Sequence, residues 1–230
     1  MERNYAMSQS ANLLNKERKV AVNLGYYLYL PEGYNSDSQE KWPLVLFLHG
    51  AGERGNGESE LIRVKKHGIP KIWDNKNLPF IAIAPQCPEN SFWVAQIENL
   101  NFLLEEITSN YNVDGSRIYL TGMSMGGYGT WFYAMAYPEK FAAIAPVCGG
   151  GMPWNAQRLQ NMPVWAFHGE EDNVVPFSES LNMVNALSEL GSDVKFTSYP
   201  GVKHNSWENA YATPELYDWL LKQCKNKVKK

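Results

Sequence analysis

No stretch of this sequence approaches the roughly 18 consecutive apolar residues of a membrane-spanning helix. Neither sign of charge dominates: 21 Lys and Arg stand against 24 Asp and Glu, for a net charge of −3. That balance gives no electrostatic reason to expect nucleic acid as a partner. Cysteine is scarce. Cys87, Cys148 and Cys224 are odd in number and lack metal-type spacing, so free, mostly buried thiols are expected rather than a disulfide frame or a metal site. Internal repeats and low-complexity linkers are missing, which argues against a second domain. Met1 to Val20 is polar and lacks the apolar core of a signal peptide, so the expectation is a cytoplasmic protein, or a secreted one if a leader has been removed.

What is present suits one large core. The 230 residues are 44% hydrophobic, which fits a single α/β domain over residues 1–230. Leu44 to Leu48 and Phe80 to Ala84 are short continuous apolar runs bounded by Pro or Gly, as expected for strands buried on both faces of a parallel sheet. Further strands are predicted over Val20 to Leu30, Arg117 to Thr121, Phe141 to Val147, Val164 to Phe167 and Val194 to Tyr199. Ile97, Leu100, Leu103, Leu104 and Ile107 recur at helical spacing, as do Leu181, Val184, Leu187 and Leu190. Met125 to Tyr137 reads as a helix ending before Pro138, and Pro214 opens a C-terminal helix. Alternating strands and helices predict a mostly parallel central sheet with helices on both faces. In such folds the site lies beyond the carboxyl ends of the strands.

Four predicted strands end in reactive or backbone-rich sequence. His49-Gly50-Ala51-Gly52 follows the first apolar run, and Gly122-Met123-Ser124-Met125-Gly126 follows Arg117 to Thr121. His168-Gly169-Glu170-Glu171-Asp172 follows Val164 to Phe167, and Gly201-Val202-Lys203-His204 follows the last strand. A serine between two glycines at an abrupt strand-to-helix turn is exposed at the top of the sheet. The glycines omit side chains that would collide with neighbouring backbone. The helix beyond it aims free N–H groups at the same point, which makes Met125 N–H a candidate oxyanion donor. Ala51 N–H, in the loop after the first apolar run, is the candidate second donor. A serine hydroxyl needs a base within hydrogen-bond reach, and the chain order Ser, Asp, His is that of the α/β-hydrolases.

The segments "LFLHGAGERG", "GMSMGGYGTW", "HGEEDNVVP" and "GVKHNSW" resemble the α/β-hydrolase superfamily over nearly the whole chain. Within it they are similar to the carboxylesterase branch of dienelactone-hydrolase-like proteins, polyhydroxybutyrate-depolymerase and feruloyl-esterase-like proteins, and prolyl-oligopeptidase-type predicted peptidases. The resemblance implies Ser124 as nucleophile, His204 as general base and acid, Asp172 as the residue orienting the imidazole, and Ala51 and Met125 as the oxyanion hole. It implies no metal and no cofactor. The activity implied is that of a serine carboxylesterase acting on a small-molecule or oligosaccharide ester. The acyl group would be short or aromatic, such as acetyl or feruloyl on plant polysaccharide. A serine peptidase and a non-catalytic binding module are the alternatives.

Other residues compete for these roles. His49 and His168 are alternative bases, though a histidine before a glycine at a strand end more often fixes a loop. Glu170 and Glu171 compete with Asp172, which the superfamily pattern His-Gly-x-x-Asp-x-x-Val-Pro favours. His67 reads as solvated. Arg54 either contacts substrate or forms a surface ion pair with Glu53. Trp93, Trp154 and Trp207 either belong to the core or line the cleft. The residues between Val147 and Val164 are too few for a helical lid, so no lid domain is expected and the cleft should be open.

Overall fold

The computed structural model describes Lys16, Lys19, residues 21–73 and residues 77–225. Apart from Lys16 and Lys19, Met1 to Val20 lies outside the described residues, and with it the start of the first expected strand. Among the described residues, seven strands form one sheet: β1 (Tyr26–Tyr29), β2 (Trp42–Leu48), β3 (Ile81–Pro85), β4 (Val113–Met123), β5 (Ala143–Val147), β6 (Val164–Gly169) and β7 (Val194–Tyr199). Their order is β1-β3-β2-β4-β5-β6-β7. Only β1 runs antiparallel, against β3; the other pairs are parallel. The helices are α1 (Gly68–Trp73), α2 (Ile97–Asn110), α3 (Met125–Ala136), α4 (Phe177–Glu189), α5 (Trp207–Ala212) and α6 (Pro214–Lys222).

Strand β2 is apolar at nearly every position because both of its faces are covered. Leu44, Leu46 and Leu48 join a core with Leu100, Leu103, Leu104 and Ile107 of α2, Trp131 of α3 and Met183 of α4. Val45 and Phe47 face the opposite core, with Ile69 of α1, Tyr211 of α5 and Leu216 of α6. Strand alternation thus divides one run between two hydrophobic layers. The same alternation sends Leu28 of β1 to the first layer and Tyr27 and Tyr29 to the second. Strand β1 is shorter than the sequence pattern suggests, because only four of its residues pair with β3 at the sheet edge. Helices α1 and α5 escaped the sequence pattern: six residues each make under two turns, too few to display a period.

Between β5 and β6 stands one short 3-10 helix, Pro153–Leu159, with Ala156 and Leu159 buried. Arg158 ties it down, donating to the carbonyls of Met135 and Ala136 at the end of α3. Among the described residues no α-helix is inserted there, and no helix is long and apolar enough to cross a membrane.

Candidate active site

Ser124 stands between β4 and α3 with φ 55° and ψ −118°, a left-handed conformation strained for a residue with a side chain. The neighbouring backbone enforces it. A Cβ on Gly126 would lie 1.9 Å from the Leu48 carbonyl oxygen, and one on Gly122 would lie 2.4 Å from the Gly126 oxygen. Both positions require glycine, so strand and helix meet closely and the serine is pushed outward.

His204, in the loop between β7 and α5, reaches Ser124: its Nε2 is 2.8 Å from Ser124 Oγ. Its Nδ1 is 2.7 Å from Asp172 Oδ2. The carboxylate can only accept, so Nδ1 carries the proton, and Nε2 is left to accept from the serine hydroxyl. Asp172 is fixed in turn. Its Oδ1 accepts the backbone N–H groups of Val174 and Val175, both at 2.9 Å. Burial opposes the carboxylate charge, but the bonds from His204 and the two amides outweigh it and hold the Asp172 carboxyl below its ordinary range. The Trp207 ring stands edge-on to the His204 ring at 5.2 Å and limits how far the imidazole can tilt.

Ala51 and Met125 each open a helical turn, Ala51 that of Ala51–Glu53 and Met125 that of α3, where leading N–H groups lack intrahelical acceptors. The loop bearing Ala51 lies against the serine, since a Cβ on Gly50 would be 3.7 Å from Ser124 Cβ. Arg54 braces that loop, donating through Nε to the Ala51 carbonyl and through Nη1 to the Ser91 carbonyl. The surface ion pair expected between Glu53 and Arg54 gives way to a different arrangement. Glu53 is buried, and its carboxylate lies 3.9 Å from His67 Nε2. Nor is His67 solvated: it is half-buried between Glu208, at 3.2 Å, and the Trp207 ring.

The two competing histidines are fully buried and away from the serine hydroxyl. His49 Nδ1 donates to the Gly50 carbonyl at 2.6 Å, and its Nε2 accepts the Cys87 N–H at 2.9 Å. Burial drives its pKa from 6.5 to about 4, against the pull of the Gly50 carbonyl and with help from the Arg54 charge. His168 lies between Asp172 and Ser180. Glu170 is occupied by Ser198, while Glu171 is exposed. Among the described residues, one cluster could hold a metal ion: Cys148, Asp172 and His204 offer ligand atoms within 4.8 Å of one another. Burial pushes the Cys148 thiol up to about 12, so at neutral pH it is a poor ligand.

Beside Ser124 opens a cavity of about 510 Å³, lined by Phe92, Trp93, Val94, Met125, Tyr128, Phe132 and Val175. Of the three tryptophans singled out in the sequence, only Trp93 borders it. Trp93 is also core, with its Nε1–H bonded to the His49 carbonyl. Trp207 backs His204 instead. Trp154 is 81% exposed on the 3-10 helix and is not among the cavity residues. Phe92, Val94, Tyr128, Phe132 and Val175 were missed. Two of them had a signal: Tyr128 and Phe132 follow Ser124 at helical intervals of four, which stacks them on its face of α3.

A mostly parallel sheet covered by helices on both faces, with a serine on a strained strand-to-helix turn, defines an α/β-hydrolase fold. The chain belongs to the dienelactone hydrolase family, whose model matches residues 90–215. It is 26% identical over 213 residues to the bifunctional acetylxylan esterase/xylanase XynS20E of Neocallimastix patriciarum, covering 88% of this chain and 29% of that protein. A thermostable esterase of known crystal structure superposes with a TM-score of 0.76 at 36% identity, over 87% of this chain and 59% of that one. A feruloyl esterase module from Clostridium thermocellum shares the fold, with a TM-score of 0.62 at 18% identity, over 86% of this chain and 82% of that one. The chain spans between 23% and 35% of the length of the first curated relatives it matches.

Proposed function

We propose that this chain is a serine carboxylesterase, acting as one domain, that hydrolyses esters of aromatic or short acyl groups, including those carried on plant polysaccharide. The observation that carries the proposal is the unbroken hydrogen-bonded series Ser124–His204–Asp172 opening onto an apolar cavity. Ser124 Oγ attacks the ester carbonyl while His204 Nε2 takes its proton. The carbonyl oxygen gains the electron pair and is held by the N–H groups of Ala51 and Met125. As the pair returns, the C–O bond to the alcohol breaks and His204 gives its proton to that oxygen. Water then repeats the sequence on the acyl-enzyme, releasing the acid and restoring Ser124. Asp172 holds the imidazole in the tautomer these transfers need.

The cavity supports an aromatic acyl group. Phe92, Tyr128 and Phe132 put three aromatic side chains in its lining, and about 510 Å³ exceeds what an acetyl group fills. Relatives named as acetylxylan and feruloyl esterases point to esters on polysaccharide. With no lid between β5 and β6, a bulky alcohol can extend outward.

The test is a panel of acetyl, butyryl, decanoyl and feruloyl esters on methyl and arabinosyl alcohols, with the matching amides. Feruloyl esters should give the highest kcat/KM, and amides should be slower by orders of magnitude. A faster amide would make the chain a peptidase. Absence of fluorophosphonate labelling at Ser124 would remove the nucleophile.

A further inference from the structure

Asp172 is shared between two histidines. Its Oδ2 lies 2.7 Å from His204 Nδ1 and 3.2 Å from His168 Nε2. His168 is at the carboxyl end of β6 and has no exposed surface. The hydrogen-bond partner of its Nε2 is the Val175 carbonyl oxygen, at 3.0 Å, with Asp172 Oδ2 beside it at ion-pair distance. Neither acceptor has a proton of its own, so Nε2 must carry one in every charge state of the ring. On the other side, Nδ1 meets Ser180 Oγ at 2.7 Å, and that hydroxyl is also 2.8 Å from the Gly149 carbonyl. A hydroxyl can donate to Nδ1 or accept from it. The ring is therefore held in one orientation whether neutral or protonated.

We propose that His168 is a positioning residue for the hydrolase chemistry: its Nε2–H anchors Asp172 and draws off part of the carboxylate charge that His204 feels. The Oδ1 atom is already fixed by two amides, so the second oxygen sets the direction of the bond to His204. Burial depresses the basicity of His168, against the Val175 carbonyl and the Asp172 charge. The neutral ring then still supplies the N–H.

Without the His168 donor, Asp172 concentrates its charge on His204, the protonated imidazole gains stability, and the acid limb of kcat/KM moves up in pH. Were His168 charged, its removal would shift the limb in the same direction. The other titratable groups around the pair are Cys148 at the end of β5, Tyr128 on α3 and Glu179 on α4. His67 and Glu208 lie beyond Trp207. All remain in place when His168 is changed.

The proposal rests on Ser124, His204 and Asp172 acting as a triad. His168→Phe keeps the ring and loses both nitrogens; the Ser180 hydroxyl still has the Gly149 carbonyl, 2.8 Å away, to donate to. Its acid limb should rise by roughly half a pH unit, less than a full charge-assisted bond would give because the N–H is forked. KM should stay unchanged. His168→Gln, whose amide nitrogen reaches the Nε2 position, should restore the limb. An unmoved limb in folded His168→Phe overturns the proposal. Should that variant fail to fold, nitrogen-15 spectra of the unmodified protein decide. His168 Nε2 should stay protonated and its resonance should shift as His204 titrates; an unprotonated Nε2, or one indifferent to His204, overturns it. Failure of the triad itself would show separately, as full activity in Ser124→Ala with the two imidazoles still coupled in the spectra.

Discussion

Lowering the pH should loosen the loop that carries Ala51, and His49 sets where. Its ring is buried and neutral, holding Gly50 with Nδ1–H and accepting the Cys87 N–H at Nε2. Protonating Nε2 would set two donors face to face. With a folded pKa of about 4 against 6.5 unfolded, the unfolded chain binds the proton first. Stability from this group is therefore complete above pH 6.5, falls as pH drops toward 4, and declines no further below that. At 1.36 kcal/mol per unit, the full loss is about 3 kcal/mol, of which about 2 kcal/mol is gone by pH 5. That is a sizeable part of the roughly 5–15 kcal/mol by which domains are stable. The measurement is urea unfolding of the natural protein and of His49→Gln at pH 8 and pH 5. Other groups titrate in both proteins, so the difference between them isolates His49. The variant should be less stable at pH 8, and its deficit should shrink by about 2 kcal/mol at pH 5. A deficit independent of pH would refute the assignment of a neutral, buried His49.

Ser124→Ala should lower kcat by roughly 10³-fold or more with the fold intact, while Ser124→Gly should also raise stability by about 1 kcal/mol by releasing the left-handed strain, both read by kinetics and thermal melts. Gly126→Ala should destabilise by about 3 kcal/mol or more, because the clash is with the Leu48 carbonyl rather than a movable side chain. Asp172→Asn should cost about 10⁴ in kcat, whereas Glu170→Gln and Glu171→Gln should change it little. Phe132→Ala should raise KM for feruloyl esters several-fold relative to acetyl esters, with Trp154→Ala leaving that ratio unchanged; the reverse outcome would move the acyl group out of the cavity.

The sheet was legible in outline because buried strands and amphipathic helices leave periods in the sequence. Leu44 to Leu48 and the Ile97 to Ile107 series carried their burial openly. The six-residue helices α1 and α5 did not, being too short to repeat a period. The tryptophans show the opposite limit. Trp93, Trp154 and Trp207 are alike in sequence context, all in loops near strand tops, yet one is core, one is exposed and one backs His204. Glu53 and His67 show a related limit: a charge in a polar stretch suggests solvent until a neighbouring element covers it.

The sequence by itself determined the strand-to-helix turn at Ser124, since the β-type run, the glycines two residues to either side and the helical run that follows lie within one short segment; that Gly126 meets the Leu48 carbonyl is tertiary. It also determined the chain order of Ser124, Asp172 and His204 and their places at strand ends. Only the tertiary structure decided that His204 reaches both partners, that His168 reaches Asp172 from the opposite side, and that the apolar cavity is walled by Phe92, Phe132 and Val175. Those contacts join residues from segments far apart in the chain, most of them loops, and their distances depend on strand order and helix packing, which no local pattern along the chain encodes.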